Sequence, residues 1–219
     1  MARGRKGQQA FEFPPGWGGR RRGSGRKPKG ERAGVPHRRK GALAARFPVH
    51  VTTRVDDDLA SLRQGMEQDV LAGAFRSGCE RFGFRLVQFA VLGNHLHFVV
   101  EARDRRALFR GLVGLLTRIA RRLNKAWGRK GKVFPDRFHE RILRTPREVR
   151  NALRYVLQNA LRHGYAVPRG APDPCSSGRW FDGWRDYVAR FPQPRPVAVA
   201  RTWLVRAGWR RHGLFGLGP

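Results

Sequence analysis

The stretch that decides the fold is GFRLVQFAVLGNHLHFVVE, residues 83–101. It holds two runs rich in β-branched and aromatic residues, separated by Leu92-Gly93-Asn94. Gly and Asn favour tight turns, so the stretch predicts a β-hairpin. On the outgoing strand, His95 and His97 are two residues apart, and side chains alternate across a strand. The hairpin therefore presents two imidazoles on one face of a sheet.

The elements on either side of the hairpin follow from hydrophobic periodicity. A strand is predicted from Phe47 to Val55, where apolar residues at 47, 49, 51 and 55 alternate with Pro48, His50, Thr52 and Arg54. Amphipathic helices are predicted from about 58 to 82 and from about 105 to 127, and a further strand near 138–143. A third helix begins with Thr145 as N-cap and a capping box to Glu148, and it ends at Gly164.

The order strand, helix, strand, strand, helix, strand, helix predicts an α+β fold of the ferredoxin-like, split βαβ type. In this fold an antiparallel sheet carries helices on one face, and here a further C-terminal helix is added. We expect three regions along the chain. Residues 1–46 form a disordered basic arm, residues 47–190 form the folded domain, and residues 191–219 form an irregular basic tail.

Charge is the most unusual feature of the composition. The 219 residues include 46 Lys and Arg against 16 Asp and Glu, a formal net charge of +30, and 13 of the basic residues lie in the first 40 positions. Such an excess favours a polyanion as partner, because cations placed against phosphates release counterions. An Arg-rich protein of the ribosomal type, or one with merely biased composition, has the same charge.

Other classes of protein are disfavoured by what the sequence lacks. Cys79 and Cys175 are far apart, which supports neither a disulfide scaffold nor a cysteine zinc site. No apolar run approaches the roughly 20 residues that cross a bilayer, and the first residues lack the apolar core of a secretory signal. The sequence therefore predicts a soluble, cytoplasmic protein without a membrane partner.

The third helix carries the residues that suggest chemistry. At 100° per residue, Tyr155 lies in a polar stripe with Asn151, Gln158, Asn159 and Arg162. Neutral imidazoles bind divalent cations, so His95 and His97 are candidate metal ligands, and the amide oxygen of Asn159 could complete the site. Tyr155 is then a candidate nucleophile, although an ordinary residue at the edge of an amphipathic helix would give the same pattern.

Basic residues near these elements are candidates for contacts with phosphate. We single out Arg54 on the first strand, Arg137 before the fourth and Arg162 on the third helix. Most of the remaining arginines are expected to be solvated surface charge.

Several motifs, taken together, resemble one known family. They occur in the order Val91-Leu92-Gly93-Asn94-His95-Leu96-His97-Phe98, Leu123-Asn124, Gly131-Lys132-Val133-Phe134 and Tyr155-Val156-Leu157-Gln158-Asn159, followed by Ser176-Ser177. Over roughly residues 47–190 the chain resembles the single-tyrosine HUH transposases, and among them the REP-associated tyrosine transposases most. It departs from the pattern at Gly93 and Ala160, where relatives commonly have proline.

The resemblance implies an enzyme that cleaves and rejoins single-stranded DNA beside a hairpin. His95 and His97 would hold Mg²⁺ or Mn²⁺, with Asn159 as third ligand and Gln158 as the alternative. Tyr155 would attack the scissile phosphate and form a 5′-phosphotyrosine link. A homodimer and a monomer are both compatible with the sequence.

Two other interpretations remain open at this point. The same strand order builds RNA-recognition modules, although an aromatic-rich signature of such modules is not visible in the sequence. A catalytically inactive or domesticated nucleic-acid-binding protein of the same fold would also keep these motifs.

Overall fold

The computed structural model describes residues 41–189, 191 and 194–218. Residues 1–40 of the predicted basic arm lie outside this range. The sheet has five strands, β1 (Val49–Arg54), β2 (Glu80–Arg81), β3 (Phe84–Val91), β4 (His95–Ala102) and β5 (His139–Ile142). They lie in the order β2-β3-β4-β1-β5, and every pair is antiparallel. Apart from the two-residue β2, this is the predicted ferredoxin-like order, so the predicted fold class is confirmed.

Three principal helices connect these strands, and two of them begin at the predicted positions. α2 (Arg105–Ala126) follows Asp104, whose side chain accepts a hydrogen bond from the Ala107 amide, and α3 (Pro146–Leu157) follows the predicted capping box of Thr145 and Glu148. α1 (Gly65–Arg76) is shorter than predicted. The residues before it form turns that include a hydrogen bond from the Leu62 amide to the Gly93 carbonyl.

The third predicted helix is interrupted near its end. α3 stops at Leu157, Gln158 leaves helical geometry with a φ of −110°, and a short α4 (Asn159–Arg162) follows. The sequence predicts one helix up to Gly164, because the hydrophobic pattern continues through the break. The interruption lies within the Tyr155 to Asn159 motif.

The two faces of the sheet are covered by different elements. α1 and α2 pack on the face that carries Val49, Val51, Leu96, Phe98 and Val100, and these residues form the larger hydrophobic core. α3 packs on the opposite face, over a second core that includes residues of β3, β4 and the last 20 positions of the chain.

The segment after residue 191 has short helical turns and packs against α3. It contains α5 (Trp203–Arg206) and a 3₁₀ helix (Gly208–His212), and Trp209 is fully buried. The side chain of Gln158 donates to the carbonyls of Gly216 and Gly218, which fixes the end of this segment on the helix.

A second irregular segment, around Ser176 and Ser177, covers the edge of β3 that is not paired with β4. Ser176 pairs with Ala90, and the Ser177 hydroxyl accepts a hydrogen bond from the Phe89 amide. Both serines are fully buried, so the serine pair noted in the sequence has a structural role here. Within the ranges given above, none of the helices combines the length and apolar character needed to cross a bilayer.

Candidate active site

The two histidines of the hairpin lie side by side on the face of the sheet that α3 covers. In the register of β1 and β4, His97 lies opposite Thr52 and His95 lies opposite Arg54. The centroids of the two imidazole rings are 4.9 Å apart. His97 is buried and His95 is half-buried, so the pair sits at the rim of the covered area.

Each of these imidazoles has a hydrogen-bond partner at Nδ1. The Nδ1 atom of His97 is 3.1 Å from the hydroxyl oxygen of Thr52, and the Nδ1 atom of His95 is 2.9 Å from the amide oxygen of Asn94. The Nε2 atom of His97 is buried, and no group in the described part of the chain forms a hydrogen bond with it. Partners at Nδ1 that leave Nε2 free are typical of imidazoles that bind a metal.

Tyr155 reaches this pair from α3. Its ring meets that of His97 edge to face, with centroids 5.2 Å apart. The guanidinium carbon of Arg162 lies 5.8 Å from the centroid of the same ring. The structure therefore brings together a phenol, two imidazoles and a guanidinium from a sheet, a helix and the short α4.

His50 on β1 is a further member of the cluster that sequence reasoning missed. Its ring stacks on His97 at 5.5 Å and meets Tyr155 edge to face at 5.7 Å. Its buried Nε2 atom also lacks a hydrogen bond within the described residues. The alternation of β1 had placed His50 on the polar face, but the sequence does not give the register that aligns β1 with β4.

Asn159 and Gln158, the two alternatives for a third ligand, differ sharply in the structure. Both amide atoms of Asn159 are buried and lack hydrogen bonds to the described residues. The amide of Gln158 is already used, because it accepts from Arg154 and donates to the last glycines of the chain. The amide of Asn159 is therefore available to a ligand and that of Gln158 is not, and a buried amide without partners among the described residues is costly unless something binds it.

Burial keeps the histidines of the cluster neutral. It lowers the pKa of His50 to about 4, with a further contribution from the positive charge of Arg141. It lowers the pKa of His97 to about 3, with contributions from His50, His95 and His163. Burial also lowers the pKa of His95, assisted by His163 and Arg54. Neutral imidazole is the form that ligates a metal ion.

The three predicted phosphate contacts have different surroundings. Arg162 lies over Tyr155 and lines the groove beside it. Arg54 donates to both carboxylate oxygens of Asp57, at 2.6 and 2.7 Å. Arg137 is exposed just before β5, near the end of the sheet that carries Arg54, since β5 begins at His139 opposite Thr52.

A basic groove runs between β5 and α3. It has a volume of about 430 Å³, and Tyr155 and His50 line it together with Arg141, Arg154 and Arg162. Arg141 projects from β5, where it lies opposite His50, and it forms an ion pair with Glu148. The cationic lining beside the phenol suits an extended, negatively charged chain.

The donor set fits a divalent cation only when an amide is included. Among the residues described, no group of three or more His, Cys, Asp or Glu side chains could hold a metal ion. Two neutral imidazoles with free Nε2 positions and one buried, unpaired amide are nevertheless present at His95, His97 and Asn159. Nitrogen and amide oxygen donors are compatible with Mn²⁺ or Mg²⁺.

The two departures from the family pattern have local explanations. The Gly93 amide donates to the Tyr165 hydroxyl at 3.0 Å, and a Cβ at this position would lie 2.7 Å from that oxygen. Proline has no N–H, so a chain with proline at this position could not form the hydrogen bond that Gly93 donates to Tyr165. The helix breaks at Gln158 without a proline, and Ala160 is buried just after the break.

The other quoted motifs have structural roles. The Asn124 side chain donates to the Gly131 carbonyl and accepts from Arg129, which closes the loop after α2. Val133 is buried in the larger core, and its carbonyl accepts from the Asp56 amide. These motifs fix the loop that leads into β5, so they position the sheet rather than contribute to the Tyr155 cluster.

Comparisons with known proteins point in the same direction as the motifs. No protein-family model matches the chain. A Haemophilus influenzae protein named "Putative REP-associated tyrosine transposase" is 24% identical over 102 residues, which cover 42% of this chain and 58% of that protein. The match therefore spans less than two thirds of the relative's length.

Two solved structures are also similar. One is described as a REP-associated tyrosine transposase bound to a REP hairpin, with a TM-score of 0.49 and 17% identity over 60% of this chain and 76% of that one. The other, a "putative transposase" from Deinococcus radiodurans, has a TM-score of 0.38 and 16% identity over 62% of this chain and 100% of that one. Through the Haemophilus influenzae relative, the chain is similar to the REP-associated tyrosine transposases, as its motifs predict.

Proposed function

We propose that this protein is a DNA transposase of the single-tyrosine type, which cleaves and rejoins single-stranded DNA beside a hairpin. The single observation that carries the proposal is the position of Tyr155. Its ring lies against that of His97, with centroids 5.2 Å apart, and lines the basic groove. The buried amide of Asn159, which has no hydrogen bond to the described residues, follows four residues later. An ordinary amphipathic-edge tyrosine would have no reason to adjoin buried imidazoles.

The residues that would hold a cation are His95, His97 and Asn159. Bound there, Mg²⁺ or Mn²⁺ would supply Lewis-acid polarisation of the scissile phosphate. The chain itself supplies the nucleophile, the cationic groove and the exclusion of water from the buried side of the cluster. Arg162 above the Tyr155 ring places a positive charge where it would favour the negative charge of a bound phosphate.

The cleavage step transfers one phosphoryl link. The Oη atom of Tyr155 forms a bond to phosphorus, and the bond from phosphorus to the 3′ oxygen breaks. The phenolic proton passes to water, and the departing oxygen takes up a proton to become a 3′-hydroxyl. The DNA remains attached to Tyr155 through its 5′ phosphate, and attack by a 3′-hydroxyl on that link rejoins the strand.

The relative bound to a REP hairpin suggests the substrate class. Hairpin DNA with single-stranded flanks would place the flank along the groove lined by Arg141, Arg154 and Arg162. With a net charge of +30 the whole chain attracts nucleic acid, so the groove and not the charge carries the proposal. The proposed setting for this activity is the cytoplasm.

The test is covalent attachment. The full chain is incubated with a pool of labelled hairpin oligonucleotides and Mn²⁺ or Mg²⁺, and the products are separated on a denaturing gel. We expect a labelled band at the mass of protein plus DNA, and its loss in Tyr155→Phe. Changing His95 and His97 to Ala is expected to remove the band in the same way.

Tyr187→Phe is the matched control, because this tyrosine is half-buried against the second core, outside the cluster. It should retain the covalent band. A band that persists in Tyr155→Phe would contradict the role of this residue. Hairpin binding without any covalent product, over the whole pool, would instead indicate an inactive binding protein of the same fold.

A further inference from the structure

A chain of polar side chains leads from the surface to His95. Arg54 donates to both carboxylate oxygens of Asp57. The Nδ2 atom of Asn94 donates to Asp57 at 3.0 Å, and the Oδ1 atom of Asn94 faces the Nδ1 atom of His95 at 2.9 Å. We refer to Arg54, Asp57 and Asn94 as the His95 clamp.

The clamp fixes the direction of each hydrogen bond. The carboxylate of Asp57 can only accept, so the atom of Asn94 that faces it must be the amide nitrogen. The amide oxygen of Asn94 must therefore face His95, and an oxygen in that place requires a proton on Nδ1. The Nε2 atom of His95 is then left with its lone pair.

His97 provides the comparison. Its Nδ1 partner is the Thr52 hydroxyl, which can either donate or accept, so the hydrogen bond does not select a tautomer. His97 is held instead by burial, at 3% exposure. His95 is half-buried beside a turn, and packing restrains its ring less.

We propose that Asn94, fixed by Asp57 and Arg54, is a positioning residue that holds His95 as the Nδ1–H tautomer with Nε2 presented to the divalent cation. This inference rests on the proposed function, since it assigns a cation to His95. It also gives Arg54 a role other than the phosphate contact predicted from the sequence.

The first measurement uses the metal-free protein. With ¹⁵N-labelled histidine and chelator at pH 8, long-range ¹H–¹⁵N spectra report the tautomer of each neutral imidazole. We expect His95 to be the Nδ1–H tautomer in the wild type and a mixture of tautomers in Asn94→Ala. Wild-type His95 as the Nε2–H tautomer would overturn the proposal, whether or not the protein binds a metal.

The second measurement is Mn²⁺ affinity, followed by the EPR signal of the free ion. Outer-sphere partners of metal-bound histidines typically contribute about 10–100-fold in affinity. We expect Asn94→Ala to weaken binding by about that factor. Asp57→Asn should weaken it less, because an amide at this position can donate as well as accept and so no longer fixes the orientation of Asn94. Asp58→Asn makes the same charge change at the next exposed residue and should leave affinity unchanged.

The two measurements separate the possible failures. Unchanged affinity in Asn94→Ala, with circular dichroism showing that the variant is folded, would contradict the positioning role while the cation site stands. Absence of Mn²⁺ binding by the wild type would contradict the metal part of the proposed function. The tautomer spectrum would then still decide whether the clamp holds His95.

Discussion

The two faces of the sheet use the same strands for opposite purposes. Val51 and Phe98 point toward α1 and α2 and are fully buried in apolar surroundings. Their neighbours Thr52 and His97 point toward α3, and the buried Nε2 atom of His97 has no hydrogen-bond partner there among the described residues. The α3 face thus combines a second apolar core with a cluster of buried imidazoles, and a polar cluster of this kind within a core is typical of a face that binds something.

The largest expected change in the free energy of unfolding comes from a substitution on the apolar face, the one covered by α1 and α2. Phe98→Ala removes a fully buried ring that packs against Phe75, and it should lower the free energy of unfolding by about 3–5 kcal/mol. Urea denaturation followed by circular dichroism measures this change. Phe82→Ala is the control, because Phe82 is 81% exposed, and its effect should stay within about 0.5 kcal/mol.

The second prediction concerns pH and the polar face. The pKa of His50 is about 4 in the folded chain and about 6.5 in an unfolded one. Between these values the unfolded state binds more protons, so the free energy of unfolding should fall as the pH is lowered from 6.5 to 4. The contribution of His50 is about 3 kcal/mol over the full window.

The measurement is urea denaturation of chelator-treated protein at pH 7, 5.5 and 4.5. In His50→Gln the loss of stability across this range should be smaller than in the wild type. His212→Gln removes an exposed histidine and should leave the pH dependence unchanged. An identical pH dependence in His50→Gln and the wild type would show that the His50 imidazole does not stay neutral in the folded state.

The smallest expected change in the free energy of unfolding comes from replacing the side-chain amides of two adjacent residues, Gln158 and Asn159. Asn159→Leu replaces a buried amide that has no partner in the described part of the chain, and it should raise the free energy of unfolding of the metal-free protein by about 1 kcal/mol. Gln158→Leu removes hydrogen bonds to Gly216 and Gly218 and should lower it by about 1–2 kcal/mol. Mn²⁺ binding should be lost in Asn159→Leu and kept in Gln158→Leu. The opposite pattern of Mn²⁺ binding would make Gln158 the ligand.

Much of the fold could be predicted because its signals are local. The turn at Gly93-Asn94 and the Thr145 capping box each act within a few residues, and the structure contains both. The predicted start of α1, at about residue 58, was wrong by about seven residues, because the helix begins at Gly65. Turns held by long-range hydrogen bonds, such as that of Leu62 to Gly93, occupy its predicted first turns.

The candidate site was only partly predictable. His95 and His97 share a face because of strand alternation, and Tyr155 is polar-facing because of helical spacing. His50 and Arg141 could not be assigned, because they join the cluster through the pairing of β1 with β4 and β5. The pairing of Arg54 with Asp57 likewise depends on a turn whose shape the sequence does not specify.

The sequence alone determined the order of elements, the pair of imidazoles on one face and the polar stripe around Tyr155, since period and capping are properties of neighbouring residues. Tertiary structure decided which side chains meet. It covered the histidine face with α3 and bonded the amide of Gln158 to Gly216 and Gly218. The amide of Asn159 has no such partner among the residues that the structure describes. Register and packing join residues about 50 to 110 positions apart, such as His50 with Tyr155, and local pattern carries no information at that range.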